Sequence, residues 1–119
     1  MRVPLIAKAV LVLCFVNMYL STASNAAGIA NNQTVDKLMM DEIHGQKLFI
    51  KMSGTVSTPA TCSTHPSWDF VLDTSTEHGT QMYAILVNAH ANNLSLSVIG
   101  TDNCNVNSSV ETLRRFELE

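Results

Sequence analysis

Residues 62–104 read CSTHPSWDFVLDTSTEHGTQMYAILVNAHANNLSLSVIGTDNC, a strand, a helix and a second strand enclosed between two cysteines. The helix signal is the clearest. Thr74 followed by Glu77 has capping-box spacing, with Asp73 and Ser75 as alternative caps. Met82, Ile85, Leu86 and Ala89 recur at helical spacing, Tyr83 and Val87 widen the stripe, and Asn92 and Asn93 can supply a left-handed terminating residue. Upstream, WDFVL (68–72) alternates as a strand with Trp68, Phe70 and Leu72 on one face. Downstream, LSLSVIG (94–100) places Leu94, Leu96 and Val98 together.

Cys62 and Cys104 are the only cysteines once an N-terminal export signal is set aside. A lone pair in a small exported chain is expected to form one disulfide. In the chain-entropy model, closing that loop disfavours the unfolded state by about 4 kcal/mol. The competing reading, two free thiols or half a metal site, comes with no CxxC and no paired histidine spacing.

Working outward, KLFIKMSGTV (47–56) alternates Leu48, Ile50 and Met52 against Phe49, Lys51 and Ser53, with Gly54 a candidate bulge. A last strand runs from about Val110 to Leu118, with Leu113, Phe116 and Leu118 as its main apolar residues. The order strand, strand, helix, strand, strand is that of an α+β domain: a small antiparallel β-barrel or curled sheet with one helix between strands. This single domain spans 46–119. Residues 27–45 lack periodicity and read as a flexible tail, with one or two amphipathic turns at Val35, Leu38, Met39 and Ile43.

Residues 1–26 read as a secretory signal peptide: Arg2 and Lys8, an apolar run from Ala9 to Val16, then small residues with a cut after Ala26 or Ala23. The run falls short of the roughly 20 residues that cross a bilayer. Leu13 is too bulky for Cys14 to be a lipoprotein cysteine. The chain is therefore expected to be secreted or periplasmic, with no membrane insertion after cleavage.

Removing Arg2 and Lys8 takes the Lys and Arg count from 7 to 5 against 10 Asp and Glu, a net charge near −5. Nucleic acid is not expected as a partner, because phosphate binding needs clustered cations. Arg114 and Arg115 stand among Glu111, Glu117 and Glu119 and read as a solvated strand face. The four histidines, His44, His65, His78 and His90, are dispersed. His78 and His90 would lie about 120° apart around the helix, so they are no ligand pair. His65 near Asp69 or Asp73, with Ser63 or Ser67, lacks any motif that fixes a catalytic geometry. No enzyme activity, metal or cofactor is expected.

Cys62, Trp68 to Asp73, Met82-Tyr83 to Ala89, Val98-Ile99-Gly100, Cys104 and Glu111 together form a pattern that resembles a group of small uncharacterised exported proteins of gammaproteobacteria. More distantly, the layout is similar to the oligonucleotide/oligosaccharide-binding (OB-like) barrel of AB5 toxin B subunits, particularly the subtilase-cytotoxin type. That resemblance implies a glycan-binding module and a homo-oligomer, and no site residue is carried over from it. It also implies a bacterial source, in which the sequons at Asn32, Asn93 and Asn107 are chance.

The residues themselves offer Trp68 as a binding contact, since aromatic faces suit sugar rings. Its alternative is the core, beside Phe70 and Leu72. The loops holding His65 and Ser67, and Asn103 and Asn105, would be brought together by the disulfide at one end of the barrel. The expected function is a non-catalytic exported binding module for a glycan or protein ligand. The alternative is a periplasmic structural or inhibitory protein that contacts a partner through a sheet edge.

Overall fold

A computed structural model describes residues 26–119. Residues 1–26, read from sequence as an export signal, lie outside the described residues except for Ala26. Strands β1 (Ile29–Gln33), β2 (Val35–Met39), β3 (Lys47–Met52) and β4 (Phe70–Asp73) precede helix α1 (Glu77–Ala91), and β5 (Leu96–Gly100) and β6 (Glu111–Leu118) follow it. The six strands form one mixed sheet in the order β1-β5-β6-β4-β3-β2. Every pairing is antiparallel except that of β4 with β6. The sheet is curled into an OB-like half-barrel, with α1 against it and a Cys62–Cys104 disulfide at one end.

The edge strands correct the sequence reading. Residues 27–45, read as a flexible tail, supply both edges of the sheet: β1 pairs with β5 and β2 with β3. Only Thr34 separates the two strands, so the sheet must curl for one continuous stretch to border both sides. Asn32, in the left-handed region at φ 49, lies where the β1 register shifts and redirects the chain. These strands show no alternation because each buries one principal apolar side chain, Ala30 in β1 and Val35 in β2. Their stability comes from ladder hydrogen bonds to neighbours distant in sequence. No amphipathic helical turn forms at Val35–Met39.

The main core joins Leu48, Ile50 and Met52 of β3, Phe70 and Leu72 of β4, and Leu96 and Val98 of β5 to Leu113 of β6. Met82, Leu86 and Ala89 of α1 close it. Ile85, read as part of this stripe, is 43 % exposed, and Val87 and Leu94 are also outside the core. The helix begins two residues later than the capping-box reading implied. Thr76 is its N-cap, its Oγ1 accepting from Gly79 N–H at 2.9 Å. Asp73 instead accepts from the Ser75 N–H and hydroxyl. At the other end Asn93 takes φ 55, and the Leu94 and Asn93 amides donate to Ala89 and His90 carbonyls. That is a Schellman termination, as the Asn pair suggested.

A second, smaller cluster lies on the other face of the sheet: Phe49, Val71 and Val110, with Trp68, Met39 and Val106 packed against them. Trp68 therefore does not share a face with Phe70 and Leu72. The alternation breaks because β4 starts at Phe70 and Asp69 turns its carboxylate to cap the end of β3. Gly54 lies beyond β3 and is no bulge; its N–H donates to the Gln33 side chain.

Candidate functional site

Three connecting segments converge at one end of the half-barrel, and a buried glutamate organises them. Glu111, the first residue of β6, has no exposed surface. Its carboxyl oxygens accept from Ala60 N–H at 2.7 Å, Gly28 N–H at 3.0 Å and Asp102 N–H at 3.1 Å. These donors belong to the segment before β1, the β3–β4 loop and the β5–β6 loop. A buried polar group is tolerable only when bonded in this way. The Cys62–Cys104 bond, with Cα atoms 6.1 Å apart, joins the same two loops a few residues away. Ser109 adds a third tie, its carbonyl accepting from Thr64 and His65 amides.

On this fixed base the β3–β4 loop borders a cleft of about 280 Å³ lined by Lys51, Thr55, Ser63, His65, Trp68 and Asp69, with Gly54, Val56 and Pro59. Trp68 is half-buried, its ring 6.1 Å from that of Phe49 and tilted by 53°. Phe49 in turn meets the edge of His44 at 5.0 Å. Asp69 is held on both oxygens: Oδ2 accepts from Met52 N–H at 2.8 Å and Oδ1 from the Lys51 ammonium at 3.2 Å. His65 Nδ1 accepts from Ser67 N–H at 3.1 Å, so the ring carries its proton on Nε2 when neutral. The cleft thus combines one aromatic wall, a charge-balanced Lys–Asp pair, an imidazole donor and hydroxyls. Such an arrangement can stack on a ring and exchange hydrogen bonds with hydroxyl groups.

The structure divides the residues singled out from sequence. His65 and Trp68 line this cleft together. Ser67 contributes its amide to His65. Asn105 borders a separate, shallower depression of about 400 Å³ with Gln46, Lys47, Asp73, Ser75 and Val106. Asn103 accepts the Asn105 N–H at 3.3 Å, while its carbonyl takes the Thr112 amide. Its role there is to shape the β5–β6 loop. In the depression, the Ser75 hydroxyl and amide hold the Asp73 carboxyl below its ordinary pKa, with Lys47 adding to the effect. Asp41 is lowered likewise by the His44 amide and ring.

Sequence reasoning passed over Lys51 as a strand-face residue and Glu111 as a strand opener. The Lys51–Asp69 contact depends on the antiparallel β3–β4 pairing, which no local pattern reveals. Among the described residues, no three His, Cys, Asp or Glu side chains cluster as a metal site, and no helix is long and apolar enough to cross a membrane. Comparison with protein-family models, with curated proteins and with solved structures finds no match to this chain.

Proposed function

We propose that this chain is an exported, non-catalytic binding module that recognises hydroxylated ligands, glycans foremost, in the Trp68 cleft. One observation carries the reading: the sole tryptophan of the chain packs against the Phe49, Val71 and Val110 cluster yet is only half-buried, and it lines a polar cleft. A partly exposed aromatic ring beside fixed polar groups suits the apolar face and hydroxyl rim of a sugar ring. Export is supported by the signal-like sequence of residues 1–26 and by the disulfide. Pentamers follow from the toxin resemblance, and solution mass is the measurement for them.

Because Trp68 is the only tryptophan, selectively excited tryptophan emission reports on this cleft. A glycan array probed with folded, oxidised protein should give positives that shift Trp68 emission. Trp68→Ala should abolish them while leaving a cooperative unfolding transition. Absence of binding across a broad array rejects the glycan reading in favour of a structural or inhibitory protein.

A further inference from the structure

Strand β6 carries a bulge. Its partners on β5 run Val98 with Phe116, Ile99 with Arg115 and Gly100 with Leu113, so Arg114 is an extra residue with nothing opposite it. In a regular strand Arg114 and Arg115 would point to opposite faces. At the bulge both line one groove of about 260 Å³ between β6 and α1, together with His78, Met82, Ile85 and Phe116. Two apolar members form the floor, Met82 buried and Phe116 half-buried, whereas Ile85, His78 and both arginines are exposed. Ile85 belongs to the helix stripe but is left over by the core.

The groove is cationic on an acidic protein. Glu111, which the sequence places close to the arginines, is turned inward and fully buried. Glu119 engages the Ser97 hydroxyl. Glu117 reaches Arg115 at 3.5 Å, but both side chains are more than half exposed, so that pair is weak. Among the described residues Arg114 has no ion pair.

We propose that this groove binds a single-chain anionic amphiphile, an alkyl carboxylate lying on Met82, Ile85 and Phe116 with its head group at Arg114 and Arg115. Guanidinium groups match a carboxylate in geometry and charge. A small anion would leave the apolar floor uncovered, and a neutral apolar ligand would leave the cations unused. A folded protein partner needs about 800 Å² from each side, far more than this groove presents. The groove shares no residue with the Trp68 cleft, so it is a second site.

The test is titration of oxidised protein with decanoate below its micelle concentration, read by amide NMR shifts and calorimetry. Decanol and acetate serve as the head-less and tail-less controls. Saturable shifts centred on Ile85, Arg114 and Phe116 are expected, with decanol and acetate at least about tenfold weaker. Affinity should rise by about two- to fourfold per methylene from hexanoate to decanoate. Arg114→Ala and Arg115→Ala, both at exposed positions, should each weaken decanoate without affecting decanol. Ile85→Ser should weaken both. No saturable shift, equal affinity for decanol, or shifts centred on Trp68 would overturn the proposal. Adsorption to phosphatidylglycerol vesicles without decanoate binding would overturn it in favour of a membrane-surface role.

Discussion

Gly100 has no side chain because Glu111 occupies its place: a Cβ added at Gly100 would collide with the Glu111 carboxyl oxygen Oε2. Gly28 stands in the same relation from the other side, its added Cβ 2.7 Å from Oε1. Two glycines thus leave the space in which one buried carboxyl group gathers three loops. Gly100→Ala should destabilise the fold by about 1–3 kcal/mol through overpacking, measured by urea unfolding. Glu111→Gln keeps the shape but turns an NH₂ donor toward backbone donors, and should cost about 3 kcal/mol. A Glu111→Gln variant of unchanged stability would refute this account of the end of the barrel.

The disulfide ties two of the loops that Glu111 ties. Cys62→Ser or Cys104→Ser should lower stability by about 2–5 kcal/mol. Because both devices restrain the β3–β4 and β5–β6 loops, the Cys62→Ser and Glu111→Gln costs should not add. A double-mutant cycle should give a coupling of about 0.5–3 kcal/mol. Strict additivity would show that the two ties act on independent segments.

Asp69 and Lys51 form one ion pair but differ in structural weight. Asp69→Ala leaves the Met52 amide without its acceptor and should cost about 1–3 kcal/mol. Lys51→Ala removes a partly exposed contact and should cost less than about 1 kcal/mol. Both should weaken a ligand in the Trp68 cleft, so Lys51→Ala is the cleaner probe of binding. Thermal unfolding and Trp68 fluorescence titration measure the two effects separately.

The helix cap is equally specific. Thr76→Ala should cost about 1 kcal/mol, since the Gly79 amide loses its acceptor. Thr74→Ala, at the position that capping-box spacing favours, should cause no comparable loss of helix stability.

Asp73 titrates below the ordinary value of 3.8 because Ser75 donates to its carboxyl group. A depressed folded-state pKa favours folding at pH above the unfolded value. The contribution fades as pH falls below about 4 and through the folded value. Ser75→Ala should therefore move the Asp73 carboxyl midpoint upward toward 3.8 in an NMR pH titration. A midpoint that does not move would leave Lys47 as the cause.

Local patterns carried a good part of this protein. The helix stripe of Met82, Leu86 and Ala89, the alternation of Leu48, Ile50 and Met52, and the Asn93 stop are readable because each reflects burial or backbone geometry within a few residues. Cys62 and Cys104 likewise pointed to one disulfide once Cys14 was assigned to the export signal. Other features depended on residues far apart in the chain. Strands β1 and β2 were invisible because their hydrogen bonds go to β5 and β3, while their polar side chains match an unstructured tail. Trp68 was assigned the wrong face because alternation was extended across Asp69, which is occupied with Met52 and Lys51. Glu111 read as a surface acid, and only the folded loops supply the three amides that make its burial tolerable. Sequence alone determined the helix, the strands β3 to β6 and the covalent tie. Tertiary structure decided the edges of the sheet, the bulge that aligns Arg114 with Arg115, and the composition of both clefts, because each is a meeting of side chains that only strand register brings together.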